Sequence, residues 1–269
     1  MIKDITFGQY YDSKSPIHRM DPRAKIVLLV LLIVFLFLSQ NFYCLSLSAV
    51  FIFVILMITR VPLKIYLKNL KAILPIIIFT AVINMFYSKG GYELFSFWIF
   101  TLNTAGVYKA IFMSLRIVLL ILISSVLTYT TSPNDLTDAI ERLLSFLKIF
   151  GLKNAVHTLA MMMTIALRFI PTLIEETDKI MNAQKARGAD LESGSLIERI
   201  RALIPILIPL LISSVMRAYQ LAEAMECRCY NGGEGRVRMK QLKLSCLDIL
   251  ASAVCITVCV AIVLLNIIF

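Results

Sequence analysis

The sequence is poor in the residues from which active sites are built. Among 269 residues it has two histidines, His18 and His157, far apart, and a single tryptophan. No Ser/His/Asp or Cys/His set can be assembled from so little histidine. There is no G-x-x-x-x-G-K-[ST] stretch, so the chain has no P-loop of its own for ATP. Gly232-Gly-Glu-Gly235 lacks the lysine and the strand-to-helix setting. Carboxylates are scarce in the apolar runs, which leaves no chain of acids for a proton or sodium path. Six cysteines are present, and the Cys227-x-Cys229 pair has neither a nearby histidine nor a second pair. A metal site is therefore not expected, and the cysteines read as small packing residues. These absences point to a non-catalytic chain.

What the sequence has in abundance is apolar length. It is 59% hydrophobic, with a mean hydropathy of +0.84. Several runs approach the roughly 20 residues that cross a bilayer. Backbone polar groups in lipid must be satisfied within the segment, so the fold class is an all-α polytopic membrane protein with about five transmembrane helices. The continuous runs exclude a membrane barrel. Polar residues and charges fill the first 25 positions, so no cleavable signal peptide is expected. The net charge of +10 sits in segments flanking apolar runs. This is the pattern of membrane topology and not of nucleic-acid binding. Arg60, Lys64, Lys68 and Lys71 are expected to face anionic lipid headgroups.

Three regions follow. Residues 1–130 form a transmembrane bundle of four spans, 26–38, 42–59, 72–87 and 105–129, with an amphipathic surface helix near 60–71. Asp21-Pro22 is a helix-start signal, since Asp caps free amides and Pro fits the first turn. The aromatic stretch 92–100 reads as a short hairpin or an interfacial cap. Arg116, inside the fourth run, is a functional candidate by default, but snorkelling or pairing with a backbone carbonyl inside the bundle is the preferred reading. Residues 131–243 hold 15 of the 27 basic and 12 of the 17 acidic residues. They form a cytoplasmic domain that opens with a short amphipathic helix ending at Gly151. Residues 244–269 supply a C-terminal transmembrane helix. Lys and Arg counts put the N-terminus in the cytoplasm and the C-terminus outside. Segments 155–174 and 202–216 are apolar enough to be taken for spans. Arg168, Pro171, Pro205 and Pro209 favour helices that only dip into the membrane.

The stretch 152–230 organises the rest. It reads as two long helices, apolar at the start and polar at the end, finishing on Ala186-Arg187-Gly188 and Cys227-Arg228-Cys229. The arginines lie 41 residues apart in a weak internal repeat. A cation at a helix C-terminus is favoured by the macrodipole, by roughly 0.3–1 kcal/mol. The small flanking residues add a second meaning: each slender tip fits a groove on another protein, where the guanidinium forks onto a carboxylate. Two tips imply two partner subunits. Met161, Met162 and Met163 provide a flexible surface for a further contact.

Residues Ser15-Pro-Ile-His-Arg-Met-Asp-Pro-Arg23-Ala-Lys25, Thr130-Thr-Ser-Pro-Asn-Asp135, Ala166-Leu-Arg-Phe-Ile-Pro-Thr172 and Glu175-Glu-Thr-Asp178 belong to one recognisable set. So do Ala183-Gln-Lys-Ala-Arg-Gly188 and Ala224-Met-Glu-Cys-Arg-Cys-Tyr230 through Gly235-Arg236. Together they resemble the transmembrane T component of energy-coupling factor (ECF) transporters, the EcfT/CbiQ-like family. The resemblance implies a multi-pass scaffold in a bacterial or archaeal cell membrane. It would join two ABC-type ATPases to a membrane-embedded S component that captures a vitamin or trace nutrient. Ala186, Arg187 and Gly188 match the family's ATPase-coupling motif, and Cys227, Arg228 and Cys229 occupy the second such position. Met161–Met163 are the expected S-component contact. ATP and Mg would sit in the ATPases, and this chain would bind no cofactor. The Gly-Gly-Glu-Gly-Arg run resembles forms shared among several interchangeable S components. The alternative is a stand-alone channel or secondary carrier.

Overall fold

The computed structural model describes residues 10–13, 15–87, 93–97, 100–145, 153–189, 195–232 and 245–268. Its helices are α1 (Pro16–Arg19), α2 (Pro22–Leu38), α3 (Phe42–Thr59), α4 (Leu63–Tyr87), α5 (Thr104–Thr130), α6 (Pro133–Leu143), α7 (Lys153–Ala186), α8 (Leu196–Glu226) and α9 (Cys246–Ile268). One antiparallel hairpin, β1 (Glu93–Phe97) and β2 (Phe100–Asn103), interrupts them, so the aromatic stretch does form strands. The protein is otherwise an all-α polytopic membrane protein. Among the described residues, six helices are long and apolar enough to cross a membrane: α3, α4, α5, α9 and most of α7 and α8. With 17 residues, α2 spans about 26 Å and falls short of a hydrocarbon core of about 30 Å.

The expected surface helix near 60–71 is not a separate element. Arg60 turns into the left-handed region at φ 55° and ends α3. Val61-Pro62 then leads into α4, which runs unbroken from Leu63 through Pro75 to Tyr87. Pro75 removes one hydrogen bond, yet the apolar residues on both sides favour continuing the helix. Likewise α7 passes through Pro171, and α8 through Pro205 and Pro209. The short helix after Pro133 is described as α6 to Leu143, and the expected stop at Gly151 lies outside the described residues.

The chain divides into two compact units: Gly8–Leu136 with Gln241–Phe269, and Met1–Phe7 with Thr137–Lys240. The first unit is built on α2, α3, α5 and α9. Leu36, Leu45 and Ile52 pack with Ile123, Cys255 and Cys259 in its core. The α4–α5 pair is close-set at Gly106, where a Cβ would meet the Met85 carbonyl oxygen at 2.5 Å.

Both ends of this unit are closed by polar contacts. At one end Asp21 caps α2, accepting from the Arg23 amide at 2.9 Å and pairing with its guanidinium at 2.7 Å. Asp248, buried at the start of α9, accepts from the Asp21 amide at 2.9 Å and the Ser245 amide at 2.7 Å. Lys25 donates from Nζ to the Thr130 carbonyl at 2.9 Å and so holds the end of α5. His18 lies 2.6 Å from Ser15 Oγ and 2.9 Å from the Tyr11 carbonyl, and burial lowers its pKa from the usual 6.5. At the opposite end, α2 stops at Ser39, which is fully buried. Arg116 donates to the Ser39 carbonyl and lies 4.7 Å over the Phe112 ring. Asn266 of α9 donates to the Leu38 carbonyl at 3.4 Å. The intramembrane arginine is thus a cap for another helix's end.

Candidate functional site

The second unit is dominated by α7 and α8. Ser195 opens α8 with a capping box: its hydroxyl accepts from the Glu198 amide while Glu198 accepts from the Ser195 amide. The two helices are held together by Glu176 of α7, which lies past the middle of its helix, as its partner Arg217 does in α8. It pairs with Arg217 of α8 at 2.8 Å and accepts a hydrogen bond from Ser213. A second tie joins the far end of α8 to the near end of α7, where Tyr230 donates to Met161 Sδ at 2.8 Å. These two ties make the helices antiparallel. Arg187 lies 11 residues beyond Glu176, and Arg228 lies 11 beyond Arg217. The arginines therefore occupy opposite ends of the pair, roughly 33 Å apart at 1.5 Å per residue.

Both tips end in the same backbone motif. At α7 the Ala189 amide bonds the Gln184 carbonyl at 3.0 Å and the Gly188 amide bonds the Lys185 carbonyl at 3.0 Å. At α8 the Tyr230 amide bonds the Met225 carbonyl at 3.0 Å and the Cys229 amide bonds the Glu226 carbonyl at 2.9 Å. Each is a Schellman closure, with the residue after the arginine in the left-handed region: Gly188 at φ 85°, Cys229 at φ 53°. The backbone thus satisfies its own last carbonyls. Neither arginine is needed there, and neither has a side-chain hydrogen bond or ion pair among the described residues. Ala186, Arg187, Gly188, Cys227, Arg228 and Cys229 are all exposed. The macrodipole still favours each cation at its helix end, but the guanidinium forks point to solvent-accessible space.

The sequence pattern of a family described as "Cobalt transport protein" (CbiQ) matches residues 13–239. The chain belongs to this family. It is 47% identical to a Ruminiclostridium cellulolyticum protein over 269 residues, covering all of both chains. A Clostridium kluyveri protein is 50% identical over 97% of both chains. A Bacillus subtilis protein is 44% identical over 90% of this chain and 91% of its own. Each carries the name energy-coupling factor transporter transmembrane protein EcfT.

The remaining site residues are split by the structure. Met161 is half-buried under Tyr230, whereas Met162 and Met163 are 59% and 53% exposed. They share the second unit with a long apolar stripe on α8, where Ile200, Leu203, Ile204, Leu207, Ile208 and Leu211 are exposed. Glu176, Ser213 and Tyr230 were not singled out by the sequence reading as individual contacts. Their partners lie 37 to 69 residues away, beyond the reach of local spacing rules. Among the described residues, no group of three His, Cys, Asp or Glu could hold a metal ion. The Gly232-Gly-Glu-Gly-Arg236 run lies outside the described residues from Gly233 onward.

Proposed function

We propose that this chain is the membrane scaffold of an ECF-type importer, transmitting ATP-driven motion from two ATPase subunits to an S component. The observation that carries it is the pair of exposed arginines on matching self-capped helix ends, at opposite ends of one antiparallel pair. Each tip presents one unpaired guanidinium on a narrow backbone, suited to a forked contact with a carboxylate in a groove. Two such tips serve two ATPases. The apolar stripe of α8 and, toward the other end of the pair, the thioethers of Met162 and Met163 are the two surfaces offered to the S component, with Met161 tied to the α8 tip.

The 1–130 bundle with residues 244–269 forms the frame, and residues 131–243 carry the coupling helices. The basic end at Arg23 and Lys25 faces the cytoplasm, which sets the N-terminus inside and the C-terminus outside. ATP and Mg belong to the ATPases, and the nutrient pocket belongs to the S component. In this reading, a tagged chain expressed with its neighbouring subunits copurifies two ATPases and a small membrane protein. The chain alone in liposomes carries nothing. Nutrient transport by the isolated chain would establish the channel or carrier reading instead. Replacing Met162 and Met163 by leucine should weaken some S components more than others; equal weakening of all would rule out an adaptable contact.

A further inference from the structure

At the hairpin end of the first unit, a cavity of about 650 Å³ opens beside α5 above the α2–α3 connection. Gln40, Tyr108, Lys109, Phe112, Met113 and Arg116 are among its lining residues. Its floor is aromatic: Phe42 stacks edge-on against Tyr108 at 4.6 Å and Phe112 at 5.3 Å. Among the described residues its charge has one sign: Lys109 and Arg116 line it and no carboxylate does. Lys109 and Arg116 are seven residues apart, two helical turns on one face of α5. Neither has a carboxylate partner among the described residues. Arg116 spends one nitrogen on the Ser39 carbonyl, which satisfies a hydrogen bond but leaves its charge uncompensated.

Charges at membrane depth are held by counter-charges or backbone carbonyls, and among the described residues Lys109 and Arg116 meet no counter-charge. The surroundings are those of a bilayer: Phe37, Leu38 and Tyr43, flanking the α2–α3 connection, are largely exposed. We propose that this cavity binds the headgroup of an anionic phospholipid from the leaflet at the hairpin end. Its phosphate lies between Lys109 and Arg116, and its acyl chains run along the apolar flank. A soluble anion would gain the two charges but not the apolar flank, so the lipid is the occupant.

The test uses the purified full-length chain in detergent, titrated with equal phosphatidylglycerol and phosphatidylcholine, with retained lipid counted by native mass spectrometry. Phosphatidylglycerol should be preferred about fivefold for each basic residue engaged. Lys109→Gln, an exposed position, should lower that preference about fivefold without moving the melting temperature. Ala105→Trp, which fills the cavity while keeping both cations, should also abolish it. An unchanged preference in either variant would overturn the site. Displacement of the lipid by millimolar inorganic phosphate would overturn the lipid assignment in favour of a free-anion site.

Discussion

The end of α2 and the ends of α7 and α8 solve one problem in opposite ways. Every α-helix leaves its last carbonyls without partners. The end of α2 takes donors from other helices, Arg116 of α5 for the buried Ser39 carbonyl and Asn266 of α9 for the Leu38 carbonyl. The exposed ends of α7 and α8 fold back and cap themselves through the amides of Gly188, Ala189, Cys229 and Tyr230. An arginine near a helix end is therefore not one thing. Arg116 gives one nitrogen to the fold through the Ser39 carbonyl, while Arg187 and Arg228 have no side-chain partner among the described residues.

Substitutions can break this contrast at several points. The largest effect is expected from Arg187→Glu combined with Arg228→Glu. Each change removes a charge-assisted contact of about 1.5–3 kcal/mol and adds repulsion, so ATPase copurification and uptake should both be lost. The isolated chain should melt as before, and a fall in its own stability would mean the arginines serve the fold. Arg116→Met should do the reverse. It strips a buried carbonyl of its donor and should cost about 1–3 kcal/mol in denaturant unfolding of the isolated chain.

Gly188→Ala comes next. Nothing lies within 4 Å of the added Cβ, so the cost is that of φ 85° alone, about 1 kcal/mol. It should show as faster amide exchange at Ala189 and a modest loss of uptake. The smallest change is Cys229→Gly, which relieves the same conformation and should slow exchange at Tyr230, stabilising the tip by about 0.5 kcal/mol. If Gly188→Ala and Cys229→Gly shift exchange in the same direction, the two closures are not equivalent.

Much of this was legible in the sequence because the signals are local. Asp21-Pro22 announced the start of α2. The aromatic run before α5 left a hairpin or an interfacial cap open, and the hairpin forms. With no carboxylate in the other apolar runs at its depth, Arg116 reads as either snorkelling or bound to a backbone carbonyl, and the Ser39 carbonyl is its partner. The error at 60–71 came from weighting the lysine face of Leu63–Lys71 over the continuity of the backbone, which α4 keeps through Pro75. The equivalence of the tips was half hidden, since cysteine is not a usual left-handed residue and Cys229 gives no signal for φ 53°. The Glu176 tie was invisible because its partners belong to a different helix.

That tie also fixes a mechanical ratio. With Glu176 and Arg217 as pivot, each arginine stands on an arm of 11 residues, about 16 Å. A beam with equal arms trades displacement one for one. A 10° rocking about the pivot would carry each tip about 3 Å, in opposite senses. Neither end could be pushed without the other answering, so two motors attached there would be bound to a common stroke.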